Sequence, residues 1–326
     1  MHYKKPPFSL TPEIFRLGLE ISKMIGRYEG KRIVDVEPRL RRINTMKTIR
    51  GTCAIEGNTL SEEMVTDIIN NKKVLAPKRE ILEVKNALAL YQEQAELDCF
   101  NEADLLKAHG ILMEGLLDLP GRYRDGEVGV FSGNRTVHVG PPAIRVPEQM
   151  KNLFQWLSMD LTTNTLIKSA VFHFEYEFIH PFMDGNGRMG RFWQHLLLIK
   201  VHPIFRSVPV ENIIYNYQQD YYRALAAAQS VGESTPFIEF SLFTIHEALK
   251  EVDRQSDGRK RDGVDQRLLS FLEAQHPDQE FSRKQYVEFF GNISPASATK
   301  DLITGVKQKL IEKIGTGIKT RYKKMS

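Results

Sequence analysis

Apolar positions recur through most of the chain at helical spacing, and that period predicts a mainly α protein. Three stretches break it. The first follows a long helical segment over Pro38–Ile55, where the chain turns through Glu56-Gly57-Asn58. Ser61 suits the N-cap of the next helix, with Glu62 and Glu63 near the positive end of its dipole. That helix is expected to reach about Asn70, and another to run from Lys78 to about Leu97. The second break, Leu119 to Pro147, holds Gly121, Gly126, Gly129, Gly133, Gly140, Pro141, Pro142 and Pro147. Inside it, the β-prone runs Glu127–Phe131 and Thr136–Val139 flank Ser132-Gly133-Asn134-Arg135 and predict an exposed hairpin. Pro147 suits the first turn of a helix ending near Met159. The third break, Gln255 to Val264, is polar and charged, and predicts a linker. Beyond it the pattern gives helices over Asp265–Leu272 and Ser282–Phe290 and a third opened by Ser294-Pro295. Two β-prone runs, Leu310–Ile314 and Ile318–Tyr322, then surround Gly315-Thr316-Gly317.

A chain of 326 residues exceeds one ordinary domain, so two or three packed units are expected, and 41% apolar residues suffice for real cores. The net charge of +4 names no partner, although Lys313, Lys319, Arg321, Lys323 and Lys324 make the C-terminal end basic. Two cysteines, Cys53 and Cys99, make no disulfide framework and fit a reducing compartment; both are expected as buried, inert thiols. The start, MHYKKPPFSL, lacks the apolar core of a signal peptide, and no apolar run approaches the ~20 residues of a membrane span. The expectation is a soluble, cytoplasmic protein with no membrane partner.

One segment concentrates chemistry: Ile179-His180-Pro181-Phe182-Met183-Asp184-Gly185-Asn186-Gly187-Arg188-Met189-Gly190-Arg191. Helical patterns over Lys168–Phe178 and Gly190–Lys200 flank it, so it reads as a helix–loop–helix. Gly185 and Gly187 let the backbone approach a ligand, and the amides opening the second helix make an anion site. Arg188 and Arg191, three apart, face one side of that helix with forks that match phosphate oxygens. Asp184 offers a hard oxygen to Mg²⁺, and His180 can take a proton near neutral pH. Phe182 reads as an anchor that fixes the loop in the core. Together these parts describe phosphoryl or nucleotidyl transfer. The residues alone leave kinase, nucleotidyltransferase and anion-binding module open.

The segment resembles the signature of the Fic family, H-P-F-x-[D/E]-G-N-G-R-x-x-R, and meets every fixed position from His180 to Arg191. Ala170–Glu177 looks like the family's preceding helix, and Asn216–Leu225 like the end of its core. The resemblance implies a mainly α Fic core with a β-hairpin flap, and transfer of AMP from ATP to Ser, Thr or Tyr hydroxyls of a target protein. It makes His180 the general base and Asp184 the Mg²⁺ ligand. It also has Gly185, Asn186 and Gly187 line the anion hole, and Arg188 and Arg191 hold the triphosphate. Thr52-Cys53-Ala54-Ile55-Glu56-Gly57 resembles the family's inhibitory motif, [S/T]-x-x-x-E-[G/N], which implies that Glu56 pairs with Arg191 and restrains the enzyme. The hairpin near Glu127–Val139 takes the place of the flap, along whose edge a target strand can align. The C-terminal end resembles a winged helix-turn-helix, which brings DNA into view as a partner. The implied organisation is an N-terminal helical region with the inhibitory helix (1–100), a catalytic domain (101–254) and a winged helix (262–326). A homodimer is a further partner expectation. A nucleotide-sensing, DNA-binding regulator with secondary catalysis is the alternative reading.

Overall fold

The computed structural model describes residues 4–30, 38–132, 135–273, 279–290, 293–315 and 320–325. Helices α1 (Pro12–Gly30), α2 (Pro38–Ile55), α3 (Glu62–Ile69), α4 (Lys78–Gln92) and α5 (Glu102–Leu112) lead to a hairpin, β1 (Gly129–Ser132) and β2 (Arg135–Val139). Then follow α6 (Val146–Met159), α7 (Thr165–Ile179), α8 (Asn186–Val201), α9 (Val210–Asn216), α10 (Gln218–Val231) and α11 (Thr235–Glu273). The expected mainly α fold is what forms. The chain divides into two compact units, Met1–Leu249 and Lys250–Ser326.

In the first unit α7 and α8 pack together at the centre, where Phe172, Tyr176, Met189, Phe192 and Trp193 are buried. Each such side chain contributes on the order of 1.5–3 kcal/mol by leaving water. α1 buries Ile14, Leu17, Ile21, Met24 and Tyr28, a face at helical spacing. α2 lies close on α9. A Cβ at Gly51 would sit 2.8 Å from the Glu211 and Asn212 backbone, so only glycine allows this approach. Asn44 Nδ2 donates to the Ser207 carbonyl (2.8 Å) and Thr48 Oγ1 to Glu211 (3.3 Å), fixing the rotation of α2. Ser61 caps α3 by accepting the Met64 N–H (3.2 Å), as expected from the sequence. α4 is shorter than expected: it stops at Gln92 and a 3₁₀ turn covers Glu93–Glu96. The hairpin is antiparallel, pairing Gly129 with Val139 and Ser132 with Arg135, with a bulge between Val130 and Phe131. Cys53 and Cys99 are buried free thiols, and burial pushes both up to about 12.

The stretch expected as a linker over 255–264 is helical, because α11 runs through it. Gln255, Arg259, Lys260 and Arg261 are good helix formers, and isolated Gly258 and Gly263 cost only about 1 kcal/mol each. The second unit adds α12 (Arg283–Phe290), α13 (Pro295–Lys307), β3 (Ile311–Ile314) and β4 (Arg321–Lys324). Phe271, Phe281, Tyr286, Leu302 and Ile311 form its core. Ser294 caps α13 by accepting the Ser297 N–H (3.1 Å), and Pro295 opens the helix. Asp301 is buried there, accepting from Arg267 Nε (2.8 Å) and Nη2 (2.9 Å) and from the Tyr286 hydroxyl (3.2 Å). β3 and β4 pair antiparallel, Ile311 with Lys324 and Ile314 with Arg321. The expected strand start at Ile318, and Lys319, lie outside the described residues. Among the described residues no helix is long and apolar enough to cross a membrane.

Candidate active site

The site is built on the loop between α7 and α8. α7 ends at Ile179, and half-buried His180 turns the chain with φ 50° and ψ 62°. A non-glycine residue in this left-handed region costs roughly 1–3 kcal/mol and persists only where surroundings fix it. The surroundings here are specific. The His180 N–H donates to the Tyr176 carbonyl (2.9 Å), and its carbonyl accepts from Arg124 Nε (2.8 Å). Phe182 is the expected anchor, fully buried and stacked on the His109 ring at 3.6 Å.

Asn186 closes the loop. Its Oδ1 accepts the Phe182 N–H (2.9 Å) and its Nδ2 donates to the Phe182 carbonyl (2.8 Å). Its side chain therefore braces the turn, and its backbone stands at the first position of α8. Gly185, with φ 83°, is the N-cap of α8, and a Cβ there would meet Met113 Sδ at 2.7 Å. The helix thus begins at Asn186, earlier than the expected Gly190, and this carries Arg188 and Arg191 into its first turns. His109 holds the far side of the loop. Its Nδ1 accepts the Gly121 N–H (2.8 Å), which leaves the proton on Nε2 to be donated to the Asp184 carbonyl (3.0 Å). Burial pulls the imidazole down to about 4, so it stays neutral.

The N-terminus of α8 faces an acidic side chain from far upstream. α2 ends at Ile55, and Gly57 (φ 90°) reverses the chain so that Glu56 projects over Gly187. A Cβ at Gly187 would collide with Glu56 Oε1, so the carboxylate lies in the hollow that the glycine leaves. Gln218 Nε2 (2.8 Å) and the Tyr222 hydroxyl (3.1 Å) donate to the Ile55 carbonyl and hold the turn there. Arg191, 2% exposed, gives Nη2 to Glu56 Oε1 (2.7 Å) and to the Thr52 carbonyl (3.1 Å), and Nε to Thr52 Oγ1 (3.2 Å). Burial is the largest single effect and works against its charge, but Glu56, Tyr221 and Glu177 together outweigh it and hold the guanidinium above its ordinary value.

Three other donors of Arg188 and Arg191 make no hydrogen bond within the protein. Arg191 Nη1, Arg188 Nε and Arg188 Nη1 are buried with no hydrogen-bond partner. Three buried cationic donors without acceptors, at a helix N-terminus with glycine-cleared space, fit the oxygens of a polyphosphate. The donor set also fits Mg²⁺ held between protein and nucleotide. Asp184 is the carboxylate at the loop, and among the described residues no group of three or more His, Cys, Asp or Glu makes an all-protein metal site. Its Oδ2 pairs with Arg79 Nη2 (3.0 Å) and its Oδ1 lies 3.3 Å from Arg188 Nη2, so a metal would displace or share these contacts.

The loop and the turn after α2 thus bring His180, Asp184, Gly185, Gly187, Arg188, Arg191 and Glu56 to one end of α8. His109, Arg124, Arg79 and Glu83 escaped the sequence reading. Glu83 sits between Arg79 Nε (3.4 Å) and Arg188 Nη1 (3.8 Å). They lie outside the motif, on helices or turns where a lone His or Arg has no local signature.

The Fic/DOC family model matches residues 99–198. A solved Fic family protein from Desulfovibrio desulfuricans is 39% identical, covers 99% of each chain and superposes with a TM-score of 0.73. Among curated proteins, Protein adenylyltransferase Fic of Nematostella vectensis is 30% identical over 201 residues, 57% of this chain and 44% of its own. A probable protein adenylyltransferase of Aquifex aeolicus is 30% identical over 129 residues, 40% of this chain and 37% of its own. The chain thus spans less than half the length of these curated relatives. A segment of Caenorhabditis elegans Fic-1, at 21% identity and TM-score 0.60, shares the fold. Resemblance that extends end to end along a solved relative, together with the family match across the loop itself, makes this chain a member of the Fic/DOC family.

Proposed function

We propose that the chain is a protein adenylyltransferase that moves AMP from ATP to a Ser, Thr or Tyr hydroxyl of another protein, and that Glu56 restrains it. The observation that carries this reading is the carboxylate over Gly187 against Arg191, beside buried arginine donors with no acceptor. It is an anion site that already holds an internal anion. Relatives about 30% identical and named protein adenylyltransferases support nucleotidyl transfer as the chemistry.

The α8 amides, Arg188 and Arg191 bind and orient the triphosphate of ATP. Asp184 would hold Mg²⁺, which when bound offsets phosphate charge. The target hydroxyl oxygen attacks the α-phosphorus, forming a new P–O bond. The bond from that phosphorus to the bridging oxygen breaks, pyrophosphate leaves, and the hydroxyl proton passes to the His180 imidazole. Glu56 competes with the terminal phosphate for Arg191, so bound ATP sits out of line for this attack. The target backbone aligns on an edge of the β1–β2 hairpin.

The test incubates Glu56→Gly protein with ATP, Mg²⁺ and cell lysate, then reads added mass on modified peptides. AMP adducts that vanish with His180→Ala, while ATP binding persists, are expected. An adduct of phosphate or of another nucleotide refutes the donor assignment, and transfer surviving His180→Ala refutes the base. A second proposal rests on Lys313, Arg321 and Lys324, exposed on the β3–β4 hairpin: they contact a DNA phosphate backbone. A full-length chain that shifts no duplex at low salt refutes it.

A further inference from the structure

We infer that Arg124 is a positioning residue for the transfer reaction, locking His180 in its left-handed turn and tying that turn to both roots of the β1–β2 hairpin. The inference rests on the base role proposed for His180.

Arg124 is 4% exposed. Its guanidinium donates to main-chain carbonyls of three separate segments. Nε reaches His180 O (2.8 Å) and Nη2 reaches Ile179 O (3.4 Å), at the end of α7. Nη1 reaches Gly126 O (2.9 Å), where the chain enters the hairpin, and Nη2 reaches Pro141 O (2.5 Å), where it leaves. Its own N–H donates to Pro181 O (2.9 Å), so the carbonyls of residues 179, 180 and 181 all end on this one residue. The hairpin makes room for it. A Cβ at Gly140 would lie 2.9 Å from Arg124 Nη2, so glycine there clears the guanidinium.

Burial lowers the pKa of the Arg124 guanidinium, with the charge of Glu127 opposing. A buried charge is costly unless its donors are satisfied, and satisfying them takes a planar fork with several directed N–H groups. Lysine has one nitrogen and cannot span three segments at once. What Arg124 secures is specific. His180 sits at φ 50°, a strained geometry that its surroundings must impose, and Arg124 grips the carbonyls on both of its sides. The phosphate-binding half of the loop is held by other bonds, those of Asn186 to Phe182 and of His109 to Asp184. Loss of the Arg124 side chain therefore loosens the main-chain turn that carries the imidazole and both ends of the hairpin, while the bonds that brace the start of α8 remain.

The test compares Arg124→Lys and Arg124→Ala with the parent in the Glu56→Gly background. The measurements are single-turnover AMP transfer, ATP affinity, thermal midpoint and the NMR titration of the His180 ring. Both variants are expected to lose transfer on the order of 100-fold, the effect of about 1 Å of misplacement, with ATP affinity unchanged. The His180 titration moves in both. Free guanidinium partly restores Arg124→Ala, and Arg124→Lys stays impaired. A lysine variant as fast as the parent, or ATP affinity falling in step with rate, overturns the inference. If the parent itself transfers nothing, the proposed function fails. The ring titration then decides alone, since an unchanged curve in Arg124→Lys leaves no positioning role.

Discussion

Replacing Glu56 with glycine is the most informative perturbation, because it should change rate and stability in opposite directions. The Arg191 side chain is fully buried and the Glu56 side chain is 36% exposed, with N and O 2.7 Å apart. At an effective dielectric near 20, two unit charges about 4 Å apart attract by roughly 4 kcal/mol. Solvent at the Glu56 side screens the pair, so about half of that is retained, on the order of 2 kcal/mol. A terminal phosphate must displace this contact to reach Arg191. With a factor of ten for each ~1.4 kcal/mol, its removal should speed transfer by roughly 30-fold. Misplacement by about 1 Å gives a similar figure, on the order of 100-fold. The same substitution leaves Arg191 buried without its anion, so the nucleotide-free variant should melt below the parent. ATP supplies the missing anion and should raise the midpoint more in the variant than in the parent. Glu56→Gln keeps the shape over Gly187 without the charge and should fall between. Initial rates of self-modification with labelled ATP, and melting curves with and without ATP, make the comparison. A Glu56→Gly rate no higher than the parent's, or an equal ATP shift in both proteins, refutes the reasoning.

Other predictions follow from the same contacts. Gly187→Ala places a methyl group in the hollow that holds the carboxylate, 3.1 Å from Arg191 Nη1. ATP affinity should fall about tenfold, the loss of one charge-assisted bond, and calorimetry should find the same loss in the Glu56→Gly background. Recovery in that background would show that the methyl acts only through Glu56. Burial raises Glu177 from 4.5 to about 8 against the pull of Arg191. Between those two values the native state keeps a proton that the unfolded chain releases, so stability falls as pH rises through the window. Glu177→Gln removes this slope, so its stability relative to the parent should grow from about pH 5 to about pH 9. A constant difference in urea melts would contradict that assignment. Asp301→Ala strips the buried partner from Arg267 and Tyr286, and with Arg267 37% exposed the cost should be roughly 2 kcal/mol. Limited proteolysis of the full chain should then cut faster within residues 250–326.

The helical periods, the caps at Ser61 and Ser294, the hairpin and the loop from His180 to Arg191 could all be read from the chain. Each depends on residues within a turn or two of one another: a hydroxyl reaching an N–H three residues on, or a glycine admitting a left-handed turn. The mainly α class followed from the same short-range chemistry. Local pattern failed where neighbours in sequence do not decide the outcome. Composition argued for a linker over 255–264, yet α11 continues because its charged residues tolerate a helix as readily as a loop. No local pattern announced that packing would turn the Asn186 side chain onto Phe182. The arrival of Glu56 over Gly187 depends on Gly51 seating α2 against α9, and on Gln218 and Tyr222 gripping the Ile55 carbonyl. Arg124 and His109 join segments that are remote in the chain and carry no motif. A sequence determines which groups can bond over a few residues. Which distant groups meet, and which of them are shut away from water so that a single charge matters, is set only when the helices pack.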